Sequence, residues 1–388
     1  MEFELSEDQT AIVNAVGQVV ADFDDDYWLA RDRDGAFPDA FHRAMADGGW
    51  LGIAMPEEVG GAGLGVTEAA LMMMTVAGAG GAMAAASAIH MNIFGPHPIV
   101  VFGTDEQKKA WLAPLIRGEE RTCFGVTEPN AGLDTGSIQT FAERTNAGYV
   151  VSGQKIWTST AQSADKIMLL ARTTPRDECK KSTDGLSLFY TDLDRAHVEV
   201  KEIEKMGRKA VDSNMVFIDA LPVPKDHLIG EEGEGFRYIL HGLNPERILV
   251  AAEALAIGRD ALRRATDYAR ERTVFGRPIG QNQAIQHPLA ESWVDLEAAY
   301  LLTMRAAAAY DAGRPSGAEA NAAKYFASEM GFKAANRAVM TLGGMGYAKE
   351  FHVERLMREA MIPRIAPVTA QMILCYIAER VLELPRSY

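Results

Sequence analysis

The sequence predicts a mainly α-helical protein with a central β domain. Residues 1–118 and 233–388 are rich in strong helix formers, whereas residues 119–232 carry short β-rich runs separated by Gly, Asp, Asn and Pro. A length of 388 residues is typical of two or three domains. We therefore expect an N-terminal helical domain, a middle β domain and a C-terminal helical bundle with these boundaries.

The N-terminal region has clear helix signals. Ser6 is a good N-cap followed by acidic residues, and the apolar run 67–74 predicts a buried helix whose methionines fill the core. The glycine-rich loop 55–65 lies between them. It lacks the preceding strand and the spacing of a dinucleotide-binding loop, so by itself it is weak evidence for phosphate binding.

The middle and C-terminal regions differ in predicted secondary structure. Runs such as 149–151, 166–170 and 186–190 predict strands of a small barrel or sandwich. Helical patterns return after residue 233, and we expect four antiparallel helices there. Within this region, Asn244 is a good N-cap and Pro245 fits a first helical position, which together predict the start of a helix.

Composition and charge exclude several classes of function. The net charge of −14 argues against a nucleic-acid partner and against docking on anionic membranes. The longest apolar tract, around 69–83, is interrupted by glycines and too short to span a bilayer. Three scattered cysteines favour neither a disulfide framework nor a zinc site. With no targeting signal visible in the N-terminal sequence, we expect a cytoplasmic protein.

Four sequence motifs occur in order along the chain. They are C-F-G-V-T-E-P-N-A-G-L-D at 123–134, G-Q-K-I-W-T-S at 153–159, R-E-R-T-V-F-G-R-P-I at 270–279 and a G-G-M-G-Y segment at 343–347. Together they resemble the FAD-dependent acyl-CoA dehydrogenase family over essentially the whole chain. The resemblance implies an acyl-CoA dehydrogenase-like fold, FAD as cofactor, an acyl-CoA substrate and electron-transfer flavoprotein as partner.

The resemblance also implies which residues bind FAD. The flavin ring would be lined by Phe124, Val126, Thr127, Trp157 and Ser159. The segment carrying Arg272, Phe275 and Gln283 would reach the FAD of a neighbouring subunit, which implies a homotetramer built as a dimer of dimers. Gly344, Thr369 and Gln371 would complete the cofactor site. Leu133 departs from the pattern, because relatives often have a serine there that touches the cofactor's pyrophosphate.

The base that removes the substrate's α-proton is the most informative departure. Many members carry it in a tract I-Y-E-G-T, but this chain has Pro367 at the position of that glutamate. Glu246 lies where the isovaleryl-CoA and long-chain branches carry theirs, so the resemblance implies that Glu246 is the catalytic base. On residue type alone, an acidic residue in a first helical turn is more often only structural. Arg247 is expected to contact the CoA moiety or to hold Glu246.

Pro367 also affects activation of the thioester. In relatives the backbone N–H at this position donates a hydrogen bond to the thioester oxygen, and proline has no N–H. Losing one such donor typically costs about 2.7–4 kcal/mol of transition-state stabilisation. Three alternatives stay open: the N–H of Val368 replaces it, the local backbone is shifted, or turnover is slow.

The resulting hypothesis is an acyl-CoA dehydrogenase with a preference for branched or medium-to-long acyl chains. Two alternatives share the fold. One is an oxidase or monooxygenase that passes electrons to oxygen, and the other is a non-catalytic FAD-binding subunit of a hetero-oligomer. Fold alone does not separate them.

Overall fold

The computed structural model describes residues 4–387 and confirms the order helical, β, helical. Seven helices form the N-terminal region: α1 (Glu7–Ala21), α2 (Asp25–Asp34), α3 (Asp39–Asp47), α4 (Val66–Val76), α5 (Ala82–Ile93), α6 (His97–Phe102) and α7 (Asp105–Ile116). Ser6 caps α1 through a capping box with Gln9, as its sequence predicted. The methionine-rich helix α4 is buried in the main hydrophobic core, which confirms the prediction for residues 67–74.

Seven strands form one sheet in the middle of the chain. They are β1 (Thr122–Gly125), β2 (Phe141–Thr145), β3 (Gly148–Ser159), β4 (Lys166–Arg172), β5 (Leu186–Asp192), β6 (Val198–Glu202) and β7 (Ser213–Pro224). The strand order is β1-β4-β2-β3-β7-β6, with β5 pairing to β4. The long strands β3 and β7 are antiparallel, and their register shifts twice. The second shift, between Lys155 and Thr158, lies in a predicted flavin motif.

Three long helices dominate the C-terminal region. The elements here are α8 (Gly235–Glu271), a hairpin of β8 (Thr273–Val274) and β9 (Arg277–Pro278), α9 (Gln283–Asp311), α10 (Gly317–Leu342), α11 (Val353–Glu359), α12 (Ile362–Ile365) and α13 (Ala370–Arg380). Helix α8 packs against α9 and α10, and its other contacts include α4 and α5. It therefore joins the N-terminal and C-terminal helical layers. The fourth long helix expected here is the shorter α13, which packs on α10.

The predicted helix start at Asn244 and Pro245 is wrong. Both residues lie inside α8, whose first residue is Gly235. The preceding turns bury Tyr238, Ile239 and Gly242, and this packing outweighs the local capping signal. Pro245 lacks the N–H that an interior helical residue donates to the residue four positions earlier.

Two helical stretches of the described chain are long and apolar enough to cross a membrane by length and composition alone, Val66–Phe102 and Val353–Arg380. The first lies mostly inside the protein. The second is divided among α11, α12 and α13. Core helices pass the same test, so these stretches are weak evidence for a membrane span.

Candidate active site

The T-E-P segment follows β1 and lies beside β3. Lys155 Nζ is 2.8 Å from Glu128 Oε1 and donates to the backbone carbonyl of Val126 at 3.1 Å. The N–H of Ile156 donates to the carbonyl of Thr127 at 2.9 Å. Both charged side chains of the ion pair are buried. The pair thus fixes the backbone of two predicted flavin-lining residues, Val126 and Thr127.

Trp157 lies in the irregular part of β3. Its φ is +60°, and 56% of its surface is exposed in the single chain. A large aromatic residue held outward in this way has a face free to stack on a planar ligand. Two residues further on, Ser159 Oγ accepts a hydrogen bond from Arg208 Nη2 at 3.0 Å. The structure therefore places Trp157 and Ser159 next to the segment that carries Val126 and Thr127.

A row of aromatic rings leads from β1 to helix α5. The ring of Phe124 lies 6.1 Å from that of Phe94, which in turn lies 4.7 Å from the imidazole of His90. His90 Nδ1 is 2.6 Å from Glu253 Oε1 on α8. The row connects the predicted flavin-lining strand to the helix that carries the candidate base.

Glu246 is partly buried on α8 and makes no hydrogen bond or ion pair within residues 4–387. Burial raises the pKa of Glu246 to about 7. The positive charges of His90 and Arg247 oppose this rise, and the negative charge of Glu253 adds to it. A carboxylate with a pKa near neutrality and with both oxygens unengaged suits a general base.

Arg247 does not hold Glu246 through an ion pair. Its Nη1 donates to Asn244 Oδ1 at 3.1 Å, and its buried Nε has no partner in the described chain. Asn244 is therefore a support for this arginine and not a helix cap. The Nη2 group of Arg247 likewise makes no hydrogen bond within the described chain.

The turn at Pro367 is fixed by a buried lysine. Lys324 on α10 is 1% exposed and donates from Nζ to the carbonyl of Val368 at 2.8 Å. Val368 has φ +61°, and its N–H makes no hydrogen bond within residues 4–387. Burial lowers the pKa of Lys324 to about 8, and its charge in turn lowers the pKa of Glu246. The turn that replaces the I-Y-E-G-T tract thus lies in the electrostatic neighbourhood of Glu246.

Sequence models of three acyl-CoA dehydrogenase domains match consecutive parts of the chain. The N-terminal domain matches residues 6–119, the middle domain residues 123–221 and the C-terminal domain residues 233–382. The chain belongs to the acyl-CoA dehydrogenase family.

Individual relatives agree over the full length. The acyl-CoA dehydrogenase FadE12 of Mycobacterium bovis is 37% identical over 388 residues, covering 99% of this chain and 98% of the relative. A solved glutaryl-coenzyme A dehydrogenase in complex with glutaryl-CoA superposes with a TM-score of 0.94 at 31% identity, covering 100% and 98% of the two chains. A solved structure described with the electron transferring flavoprotein of Acidaminococcus fermentans superposes with a TM-score of 0.93 at 32% identity. The match covers 98% of this chain and 100% of that one.

Members of the acyl-CoA dehydrogenase family are FAD-dependent oxidoreductases, and the residues of this chain fit that cofactor. Neither the N–H nor the hydroxyl of Thr127 donates a hydrogen bond within residues 4–387. The exposed face of Trp157 lies beside it in the adjoining strand. Free donors next to an open aromatic face are what an isoalloxazine ring requires.

The hairpin predicted to contact a neighbouring subunit lies at the surface. Arg272, Phe275 and Gln283 are all exposed, and the side chain of Phe275 is 100% exposed at the hairpin tip. The hairpin and the turn after it pack on α8 and α9. No hydrogen bond or ion pair joins these residues to the two strand motifs within the described chain.

The remaining predicted cofactor residues follow α10 and precede α13. Gly344 is exposed, and an added Cβ there would meet no atom of the chain within 4 Å. Thr369 caps α13 through its side chain, and Gln371 lies exposed in the first turn of that helix. Leu133, the departure in the first motif, is 58% exposed.

Sequence reasoning missed four residues around the base, namely His90, Lys324, Arg208 and Glu253. None of them lies in one of the four sequence motifs. One signal was available: Glu253 follows Glu246 by seven residues, which places both carboxylates on one face of a continuous helix. The partners on other elements had no local signal, because only the packing of α5, α8 and α10 brings them together.

Proposed function

We propose that this acyl-CoA dehydrogenase oxidises an acyl-CoA thioester to the trans-2-enoyl-CoA, with Glu246 removing the α-proton. The main support for this proposal is the environment of the Glu246 carboxylate. Its carboxylate has no partner within the described chain, and burial raises its pKa to about 7. A base that is ionised near neutrality yet poorly solvated is reactive toward the weakly acidic α-carbon.

The turn after α12 supports activation of the thioester. Pro367 has no N–H, but the free N–H of Val368 is the next backbone donor along the chain. Lys324 holds the carbonyl of Val368 and so restricts the orientation of this turn. We assign the role of oxyanion donor to Val368, because a pre-positioned N–H stabilises the developing enolate without further reorganisation.

The other predicted site residues have supporting roles. Arg247, whose Nη2 makes no hydrogen bond within the described chain, contacts the CoA moiety. Phe124, Val126, Thr127, Trp157 and Ser159 bind the flavin ring. The rest of FAD is bound by Arg272, Phe275, Gln283, Gly344, Thr369 and Gln371. Bound FAD would supply the acceptor for the substrate's β-hydrogen, transferred as a hydride.

Substrate class, partner and assembly are part of the same proposal. A base on α8 favours a branched or medium-to-long acyl chain, by analogy with the family branches that use this position. Electron-transfer flavoprotein is the proposed acceptor, supported by the structural neighbour described with such a protein. The fully exposed Phe275 supports a homotetramer in which the hairpin is covered. The proposed location is the cytoplasm.

Anaerobic titration of the purified protein with straight and branched acyl-CoAs tests the proposal. Loss of the flavin absorption band is expected with one class of substrate. The variant Glu246→Gln should keep its FAD and its reduction by dithionite but should not bleach with substrate. Glu234→Gln, which removes a carboxylate just before the same helix, is the matched control and should bleach normally. Full bleaching of Glu246→Gln by substrate would refute the assignment of the base.

A further inference from the structure

Four polar side chains form a cluster between α5, α8 and the loop after β6, which we call the polar cluster: Ser87, His90, Arg208 and Glu253. Arg208 Nη1 donates to Ser87 Oγ at 3.2 Å, and His90 Nδ1 lies 2.6 Å from Glu253 Oε1. Ser87 and His90 are three positions apart on α5 and therefore lie on the same side of that helix. Apolar residues of the main core surround much of the polar cluster, but on one side the backbone N–H of Arg208 donates to the buried carboxylate of Glu359 at 3.3 Å.

The hydrogen bonds within the polar cluster leave two buried atoms unused. Glu253 is 0% exposed, and its Oε2 accepts no hydrogen bond within residues 4–387. Nε of Arg208 is likewise buried and donates to no atom of the described chain. A buried polar atom without a hydrogen bond lowers the stability of the fold, and the cost is larger for a charged group. We therefore expect these two atoms to bind a ligand group.

The polar cluster lies next to the reaction site. Glu253 follows Glu246 by seven residues, so both lie on one face of α8, separated by about 11 Å along the helix axis. His90 is close enough to interact electrostatically with both carboxylates. On the other side, Arg208 bonds Ser159, a predicted flavin-lining residue. The polar cluster therefore lies between the candidate base and a predicted flavin-lining residue.

We propose that the polar cluster is a subsite at the far end of the acyl pocket that binds a hydroxyl group carried on the acyl chain beyond its β-carbon. This inference rests on the proposed function of the site. A hydroxyl both donates and accepts, so it can donate to the free oxygen of Glu253 while accepting from Arg208. A purely hydrocarbon chain would leave both atoms unpaired.

Binding to the non-reactive Glu246→Gln variant tests the subsite without turnover. Isothermal titration calorimetry would compare hexanoyl-, octanoyl- and decanoyl-CoA with their ω-hydroxy counterparts. At one chain length the hydroxylated ligand is expected to bind about tenfold more tightly, as one hydrogen bond to a charged group provides. Equal or weaker binding of the hydroxylated ligand at every length would overturn the inference.

A second set of variants shows whether the polar cluster is the origin of the preference. His90→Leu with Glu253→Leu, added to Glu246→Gln, replaces the buried pair by apolar groups and should reverse the preference. Should that protein fail to fold, Glu253→Gln keeps the size of the side chain and should reduce the preference to a few-fold. Thr303→Val, which removes a buried hydroxyl bonded only within α9, is the control and should retain it. A preference that persists without Glu253 overturns the inference.

The same experiments separate this inference from the proposed function. If the wild-type flavin is not reduced by any thioester while the hydroxylated ligand still binds more tightly, the dehydrogenase assignment fails and the subsite stands. If plain acyl-CoAs reduce the flavin but hydroxylation gives no gain, the subsite fails and the dehydrogenase stands. If neither the plain nor the hydroxylated acyl-CoAs bind, the subsite and the dehydrogenase assignment both fail.

Discussion

Lys155 and Glu128 form a buried ion pair that joins the two flavin-binding segments, with Nζ and Oε1 2.8 Å apart. Burial lowers the pKa of Lys155 to about 8, and the carboxylate of Glu128 opposes that shift. Glu128 also accepts from the backbone N–H groups of Gln139 and Thr140. The T-E-P and G-Q-K-I-W motifs therefore contain a structural pair as well as the residues predicted to touch the cofactor.

Lys155→Met should lower the free energy of unfolding by about 3–5 kcal/mol, because it leaves the buried carboxylate of Glu128 without its counter-ion. The double variant Lys155→Met with Glu128→Gln should lose less than the single variant. Denaturant titration by circular dichroism measures both. Lys201→Met, which breaks a surface pair with Glu199, is the control and should cost under about 1 kcal/mol. Equal losses for Lys155→Met and the control would contradict a structural role.

The pH dependence of flavin reduction should report the raised pKa of Glu246. A base acts only when deprotonated, so kcat/KM should rise with pH through a midpoint near 7. Stopped-flow bleaching under saturating and limiting substrate between about pH 5.5 and 9 would measure it. A midpoint near the ordinary value for glutamate would show that the carboxylate is solvated and would refute the mechanism proposed for it.

The contribution of Glu246 to the free energy of unfolding should fall as pH rises, whereas its activity as a base should rise. Its pKa in the folded state lies above that in the unfolded chain, so ionisation costs stability as pH rises from the unfolded pKa through about 7. Glu246→Gln should therefore melt at a higher temperature than the wild type at pH 8, and the gap should close toward pH 5. Thermal unfolding followed by circular dichroism at both pH values checks this. A variant less stable than the wild type at pH 8 would argue against a poorly solvated carboxylate.

The architecture was predictable because local signals agreed with the packing. Ser6 caps α1, and the apolar run 67–74 is a buried helix, as the capping signal and the helix propensity indicated. Asn244 and Pro245 show where this reasoning fails. Asn and Pro do favour helix starts, but here the helix begins earlier because residues of the preceding turns are buried. The local sequence does not show that this burial outweighs the capping preference.

The site was predictable only where motifs carried it. The resemblance to the family identified Glu246, and the structure shows it half-buried, with no hydrogen bond or ion pair within residues 4–387. Lys324 and His90 come from helices distant in sequence, and their importance follows from contacts with Val368 and Glu253. Such contacts between elements far apart along the chain have no periodic signature. The charged residues that set the pKa of Glu246 could therefore be identified only from the structure.

Lys324→Met should affect both the turn and the base. The carbonyl of Val368 would lose its buried partner, at a cost of about 1–3 kcal/mol in the free energy of unfolding. The loss of a nearby positive charge should raise the pKa of Glu246 and move the midpoint of the reduction profile to higher pH. Lys333→Met on the same helix, which pairs with Asp295 at the surface, should leave the midpoint unchanged. A shift to lower pH would contradict the arrangement.

Phe275→Ser tests whether the hairpin is an assembly surface. The side chain of Phe275 is 100% exposed within its own chain, so its removal should leave the fold and the far-ultraviolet spectrum unchanged. If the hairpin is covered by a neighbouring subunit at the FAD site, light scattering should show dissociation of the tetramer, and the FAD-to-protein ratio should fall. Leu64→Ser, at another partly exposed apolar residue, is the control and should keep both the mass and the FAD content. An intact tetramer with full FAD in Phe275→Ser would show that the side chain of Phe275 contributes to neither assembly nor FAD binding.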